Sequence, residues 1–292
     1  MRLRVLLSIA AALALVPASA PAVRLLGVSF ADGLLYDVDP ATGAASNPRS
    51  VLVPDSECPG AACTLDHPSG LEILPDGSVL LATIETANVL ASHLVREAGL
   101  AGGGPSVPSS AALGLQIGEG DLALDPQSGA LYAFGLTNGT IPFRLLRIEP
   151  GANGWADPTT TAVGELQTGD LSAMAFAADG TLYAIDTDAD ALVTVDPADA
   201  STLSSVGLSE PLGPLAGMDF DPATGTLWVA DGGSGGHGAL FTLDPATGTL
   251  HEIGPLGLAN GLSGLAVPEP GAAAAGAFAI AALALRRVRC LG

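Results

Sequence analysis

Alternating carboxylates mark the first candidate chemistry in this chain. Asp186-Thr187-Asp188-Ala189-Asp190 puts an acidic side chain at every second position, a spacing that suits oxygen ligation of a hard cation such as calcium. The run lacks the central glycine and closing glutamate of an EF-hand loop, so a solvated hairpin turn is the competing reading. Asp231 opens a second stretch, Gly232-Gly233-Ser234-Gly235-Gly236-His237-Gly238, which is too flexible to preorganise a catalyst by itself. Asp186, Asp188, Asp190 and Asp231 are therefore the metal candidates, with calcium the expected ion. Cys58 and Cys63 stand four residues apart in a Pro/Gly/Ala loop. In an exported chain a small-loop disulfide is the default for that spacing; a metal site would need two more soft ligands, and only His67 is near. His67, His93, His237 and His251 are dispersed, and there is no Gly-x-Ser-x-Gly elbow, His-Glu-x-x-His pair or phosphate loop. No catalytic residue is assigned.

The elements that must position these residues come from a repeat. A strand of the form small-Leu/Met-x-apolar recurs at Gly70-Leu71-Glu72-Ile73, Asp121-Leu122-Ala123-Leu124, Ala173-Met174-Ala175-Phe176, Gly217-Met218-Asp219-Phe220 and Gly264-Leu265-Ala266-Val267. The intervals are 51, 52, 44 and 47 residues, the length of a four-stranded propeller blade. A second strand follows each of the first four copies: Leu80-Leu81-Ala82, Leu131-Tyr132-Ala133, Leu182-Tyr183-Ala184 and Leu227-Trp228-Val229. It also occurs at Leu25-Leu26-Gly27, before any copy of the first, so the chain starts inside a blade that the strand at 262–267 can complete. Pairing the two ends removes open edges. The expectation is an all-β propeller of five four-stranded blades over residues 21–266. Six blades is the alternative if the loops at 98–119 and 149–162 hide strands, and a parallel β-helix is the main competing fold. Val89–Leu100 fits a third strand as well as a short helix.

The turns are regular. Asp39-Pro40-Ala41-Thr42-Gly43, Asp221-Pro222-Ala223-Thr224-Gly225 and Asp244-Pro245-Ala246-Thr247-Gly248 are nearly identical, and Asp125-Pro126-Gln127-Ser128-Gly129 is a variant. Asp accepts backbone N–H bonds, Pro presets φ, and Gly takes the left-handed position, so these acidic residues are structural. Asp186 and Asp231 occupy equivalent blade positions, where the other blades carry Ser29, Ile84 and Gly135. No complete acidic ring is expected on that face.

Charge narrows the partners. Five of the ten arginines lie in the two ends, there is no lysine, and the body sets five arginines against all 30 acidic residues. Nucleic acid and anionic lipid are excluded, because both require clustered cations. Residues 1–20 read as a signal peptide: Arg2 and Arg4, an apolar core over Val5–Val16, and Ala18-Ser19-Ala20 as the cleavage site for signal peptidase. At the other end come Val267-Pro268-Glu269-Pro270-Gly271, an Ala-rich run over Ala272–Leu285, and Arg286, Arg287 and Arg289. The apolar run has 14 residues where a comfortable membrane helix needs about 20, so it predicts a transient inner-membrane anchor with the body outside. Cys290 lies beyond the basic stop and accounts for the odd cysteine.

Residues 267–292 resemble the PEP-CTERM sorting signal of Gram-negative bacteria. That resemblance implies export, cleavage by an exosortase, and release to the cell surface or extracellular matrix, with a link to exopolysaccharide and biofilm. Gly180-Thr181-Leu182-Tyr183-Ala184-Ile185-Asp186 and Gly225-Thr226-Leu227-Trp228-Val229-Ala230-Asp231 look like the repeat of NHL-type propellers, and the Asp-Pro-Ala-Thr-Gly strands resemble YVTN-like propellers. Fold alone does not select a function. The leading expectation is a non-enzymatic binding and scaffold module that contacts polysaccharide or a surface protein through calcium bridges. The alternative is a metal-dependent hydrolase or lactonase, since gluconolactonase-like propellers hold a divalent ion in the central channel through Glu, Asn and Asp. Asp231 is similar to the Asp of that set, with Glu85 and Asn88 as conceivable partners.

Overall fold

The computed structural model describes residues 25–53, 63–64, 67–83, 93–97, 109–113, 116–118, 120–137, 140–167, 169–233 and 238–268. Every regular element among them is a β-strand. Five antiparallel sheets form a five-bladed propeller. Blade 1 runs outward from the axis through Pro68–Ile73, Val79–Thr83, His93–Glu97 and Ser109–Ala112. In blade 2 the innermost position is shared by Gln116–Ile117 and Ala123–Leu124, followed by Leu131–Thr137, Thr140–Gly151 and Gly154–Glu165. Blade 3 comprises Leu171–Phe176, Leu182–Asp186, Ala191–Val195 and Thr202–Gly207, and blade 4 Leu215–Phe220, Leu227–Gly232, Ala239–Asp244 and Thr249–Pro255. Blade 5 joins the two ends: Gly264–Ala266 pairs with Leu25–Val28, which continues to Leu34–Val38 and Ala45–Ser50. The regions expected to allow a sixth blade hold outer strands of blades 1 and 2 and the short strand Gln116–Ile117.

Each strand alternates its side chains between two neighbouring blades, which is why the inner strands read as continuous apolar runs. In Val79–Thr83, Val79 and Leu81 pack toward blade 5 while Leu80 and Ala82 pack toward blade 2. In Leu182–Asp186, Leu182 and Ala184 face blade 2 and Ile185 faces blade 4. The core is thus five apolar layers, one at each blade interface. Val267, which the sequence placed both in the closing strand and at the head of the sorting motif, packs into the propeller. It is buried in the layer between blades 4 and 5, and its N–H donates to Asp219 Oδ2 at 2.6 Å. The fold therefore extends one residue past 266, directly into Pro268.

The Asp-Pro turns behave as their chemistry predicts. Asp39 Oδ1 accepts the Ala41 N–H at 2.8 Å, its Oδ2 accepts the Thr42 hydroxyl, and Gly43 closes the turn at φ +77°. Asp244 repeats this with Ala246, Thr247 and Gly248. The N–H and hydroxyl donors hold both carboxyls below the usual aspartate range. Such a group stabilises the fold above its unfolded pKa of about 3.9 and loses that contribution as the pH falls through the lower folded value. Asp244→Asn should thus unfold at lower urea than wild type at neutral pH, and the two midpoints should converge as the pH falls below the usual aspartate range.

Close to the axis the inner strands converge until side chains no longer fit. A Cβ on Gly217 would lie 2.4 Å from Gly264 C and Leu265 N, and one on Gly70 would lie 2.9 Å from Leu122 N. Gly217→Ala is expected to cost about 1–3 kcal/mol through overpacking. Urea unfolding measures it, and an unchanged midpoint would contradict the tight approach.

Candidate functional site

An innermost strand pairs on one side only, so N–H groups along its other edge face the axis. Buried without partners, each would carry a desolvation penalty. Three carboxylates meet this need. Asp121 stands at the repeat position that is Gly70, Ala173, Gly217 and Gly264 in the other blades. It is fully buried. Its Oδ1 accepts the N–H groups of Leu71 at 2.8 Å and Leu122 at 2.9 Å, and its Oδ2 those of Met218 and Leu265, both at 2.9 Å. One side chain thus binds the inner strands of blades 1, 2, 4 and 5.

Two residues along the repeat, Glu72 and Asp219 form another tier. Glu72 Oε1 accepts the N–H of Ile73 and its Oε2 that of Leu124 in blade 2, both at 2.8 Å. Asp219 accepts the N–H of Phe220 at 2.7 Å and that of Val267 in blade 5. Each staples its own blade to the next. The arginines that form ion pairs among the described residues, Arg49, Arg96, Arg144 and Arg147, all sit on outer strands, so Asp121 has no cation to offset its burial. Desolvation pushes its pKa well above the usual range against the pull of the four N–H donors. A raised pKa makes its contribution full below the unfolded value of about 3.9 and lost as the pH rises through the folded one. With two N–H donors on each oxygen, the carboxyl has little capacity left for a metal.

The expected metal residues are distributed differently. Asp186 ends the second strand of blade 3, is buried, and accepts the N–H groups of Ala189 at 3.0 Å and Gly169 at 3.3 Å. It caps its own turn. Asp190 adopts φ +47°, and its carbonyl accepts the Leu208 N–H. Asp231 is fully buried at the equivalent place in blade 4 and accepts the Gly213 N–H at 2.7 Å. Asp188 and Asp186 do share a neighbourhood with Asp170, whose pKa is raised first by burial and then by those two charges. Asp170 went unnoticed in sequence; the available signal was the antiparallel register, which sets Leu171 opposite Asp186. Among the described residues no three His, Cys, Asp or Glu side chains form a group able to hold a metal ion.

Other expectations fall partly outside the described residues: Cys58, Glu85, Asn88, His237, Glu269, Pro270, Arg286 and Arg287. Cys63 lies in a two-stranded ribbon with Leu52–Val53. His93 begins the third strand of blade 1, and His251 is exposed on the outer strand of blade 4. Among the described residues no helix is long and apolar enough to cross a membrane.

A family model described as a domain of unknown function, DUF4394, matches residues 157–266, from the outer strand of blade 2 to the closing strand. No curated protein matches the chain. Among solved structures, the chain is similar to one from a nidogen/laminin complex at 14% identity, covering 85% of this chain and 98% of that one, with a TM-score of 0.49. A putative gluconolactonase is similar at 17% identity, with 83% and 80% covered and a TM-score of 0.46. A gluconolactonase from Xanthomonas campestris follows at 14% identity, with 70% and 67% covered and a TM-score of 0.42. These likenesses concern the propeller fold.

Asp121→Asn keeps the shape but turns an NH2 toward two N–H donors. The orphaned groups are expected to cost about 2–6 kcal/mol in urea unfolding. The gap to wild type should narrow as the pH rises from about 4, since only the aspartate carries the burial penalty on ionisation. A gap within about 0.5 kcal/mol would mean that the axis N–H groups are satisfied otherwise.

Proposed function

We propose that this chain is an exported β-propeller that works at the cell surface or in the extracellular matrix as a binding and scaffold module for exopolysaccharide. The observation that carries this reading is the closed axis. Asp121 spans four of the five inner strands, and Asp121, Glu72 and Asp219 are engaged with backbone N–H groups. The hydrolase considered from sequence would instead use Asp231 with Glu85 and Asn88, and Asp231 accepts the Gly213 N–H. Here the recognition chemistry lies at the periphery.

The ends of the chain supply the route in this proposal. Signal peptidase removes residues 1–20, the tail after Val267 holds the protein briefly in the inner membrane, and an exosortase releases it. Asp39, Asp179, Asp199 and Asp244 line exposed turns and stay ionised to low pH because N–H and hydroxyl groups donate to them. Ionised carboxylates on many turns suit calcium-bridged association, in which each ion is shared between protein and polymer.

Co-sedimentation of the mature protein with the producer's own extracellular polysaccharide, with calcium and with chelator, tests the proposal. Saturable, calcium-sensitive retention is the expected result. Absence of retention in both conditions would overturn it.

A further inference from the structure

We propose that the groove between blades 2 and 3 is a subsite for one neutral pyranose residue, which deepens the polysaccharide reading above and rests on it. The groove is an open depression of about 490 Å³. Its floor is one cross-strand row, Tyr132 opposite Arg147 opposite Thr161. Its wall is apolar, formed by Val163 and by Pro197 and Ala198 of the facing blade 3 turn.

The chemistry of that row selects the ligand. Arg147 gives one terminal nitrogen to Glu149 at 2.9 Å, and its Nε makes no hydrogen bond. A guanidinium has five N–H donors; the buried Nε aside, those of the terminal nitrogens not given to Glu149 remain for a ligand. Thr161 is exposed and adds a hydroxyl, and the Tyr132 phenol adds a group that both donates and accepts. Adjacent donors and acceptors match the vicinal hydroxyls of a sugar, while Pro197 and Val163 suit the C–H face of its ring. The ion pair with Glu149 leaves the site near neutral, and the surrounding body carries 30 acidic residues against five arginines. That charge balance disfavours an acidic sugar at the same place.

Titration of the mature protein with the methyl glycosides of glucose, galactose and mannose, followed by NMR, tests the groove, with trigalacturonate as the acidic comparison. At least one neutral glycoside should bind saturably, and Arg147→Gln should weaken it at least about tenfold. Ala198→Trp, on an exposed turn position, should block the groove without touching Arg147, with an unchanged melting temperature reporting the intact fold. Failure of all three glycosides to bind, binding unchanged in both variants, or preference for trigalacturonate would each overturn the proposal. Polymer retention that survives both variants sustains the surface role and overturns the groove; glycoside binding at the groove without polymer retention does the reverse.

Discussion

Buried backbone N–H groups on the inner edges of converging strands must find acceptors where no further strand pairs with them. The carboxylate of Asp121 answers that constraint for Leu71, Leu122, Met218 and Leu265 at once. A carboxylate offers about four lone-pair sites, so a single residue can serve four blades only if the strands approach closely around it. The glycines at 70, 217 and 264 permit that approach, because a Cβ at any of them would meet the backbone of the next blade. Small residues and one acid at the same repeat position are thus two halves of one device.

Glu72 and Asp219 extend the device along the axis, each coupling adjacent blades through the N–H after its own residue and the matching N–H next door. The bond to Val267 has a further consequence. The closing strand is held at its centre by Asp121, through Leu265, and at its end by Asp219, while the sheet register ties it to Leu25–Val28. Ring closure therefore relies on polar contacts at the axis as well as on the apolar layer that contains Leu25, Leu262 and Val267.

Spending acids on the axis separates structure from recognition. Asp186 and Asp231 follow the same economy, since each accepts backbone N–H groups of the loops around it. What remains for partners is peripheral: turn carboxylates held ionised by local donors, and a groove whose guanidinium retains unused donors. This division supports the proposed binding of extended material over the surface.

The blade count, the split closing blade and the role of the Asp-Pro turns were legible in the sequence because they rest on local rules. Alternation of apolar residues, turn chemistry at fixed offsets and a period near 50 residues act within one blade or between neighbours in the chain. The role of Asp121 was not legible, although it stood in plain view among the repeats, because its four partners come from residues up to 144 positions away. Nor could acidic spacing show that the carboxylates of Asp186 and Asp231 accept backbone N–H groups. Val267 read both as the end of the closing strand and as the start of the tail motif, and its burial places it in the core. Sequence determined the strands and their turns; only closure of the ring decided which side chains would meet at its axis, since that depends on five separate strands arriving at one place.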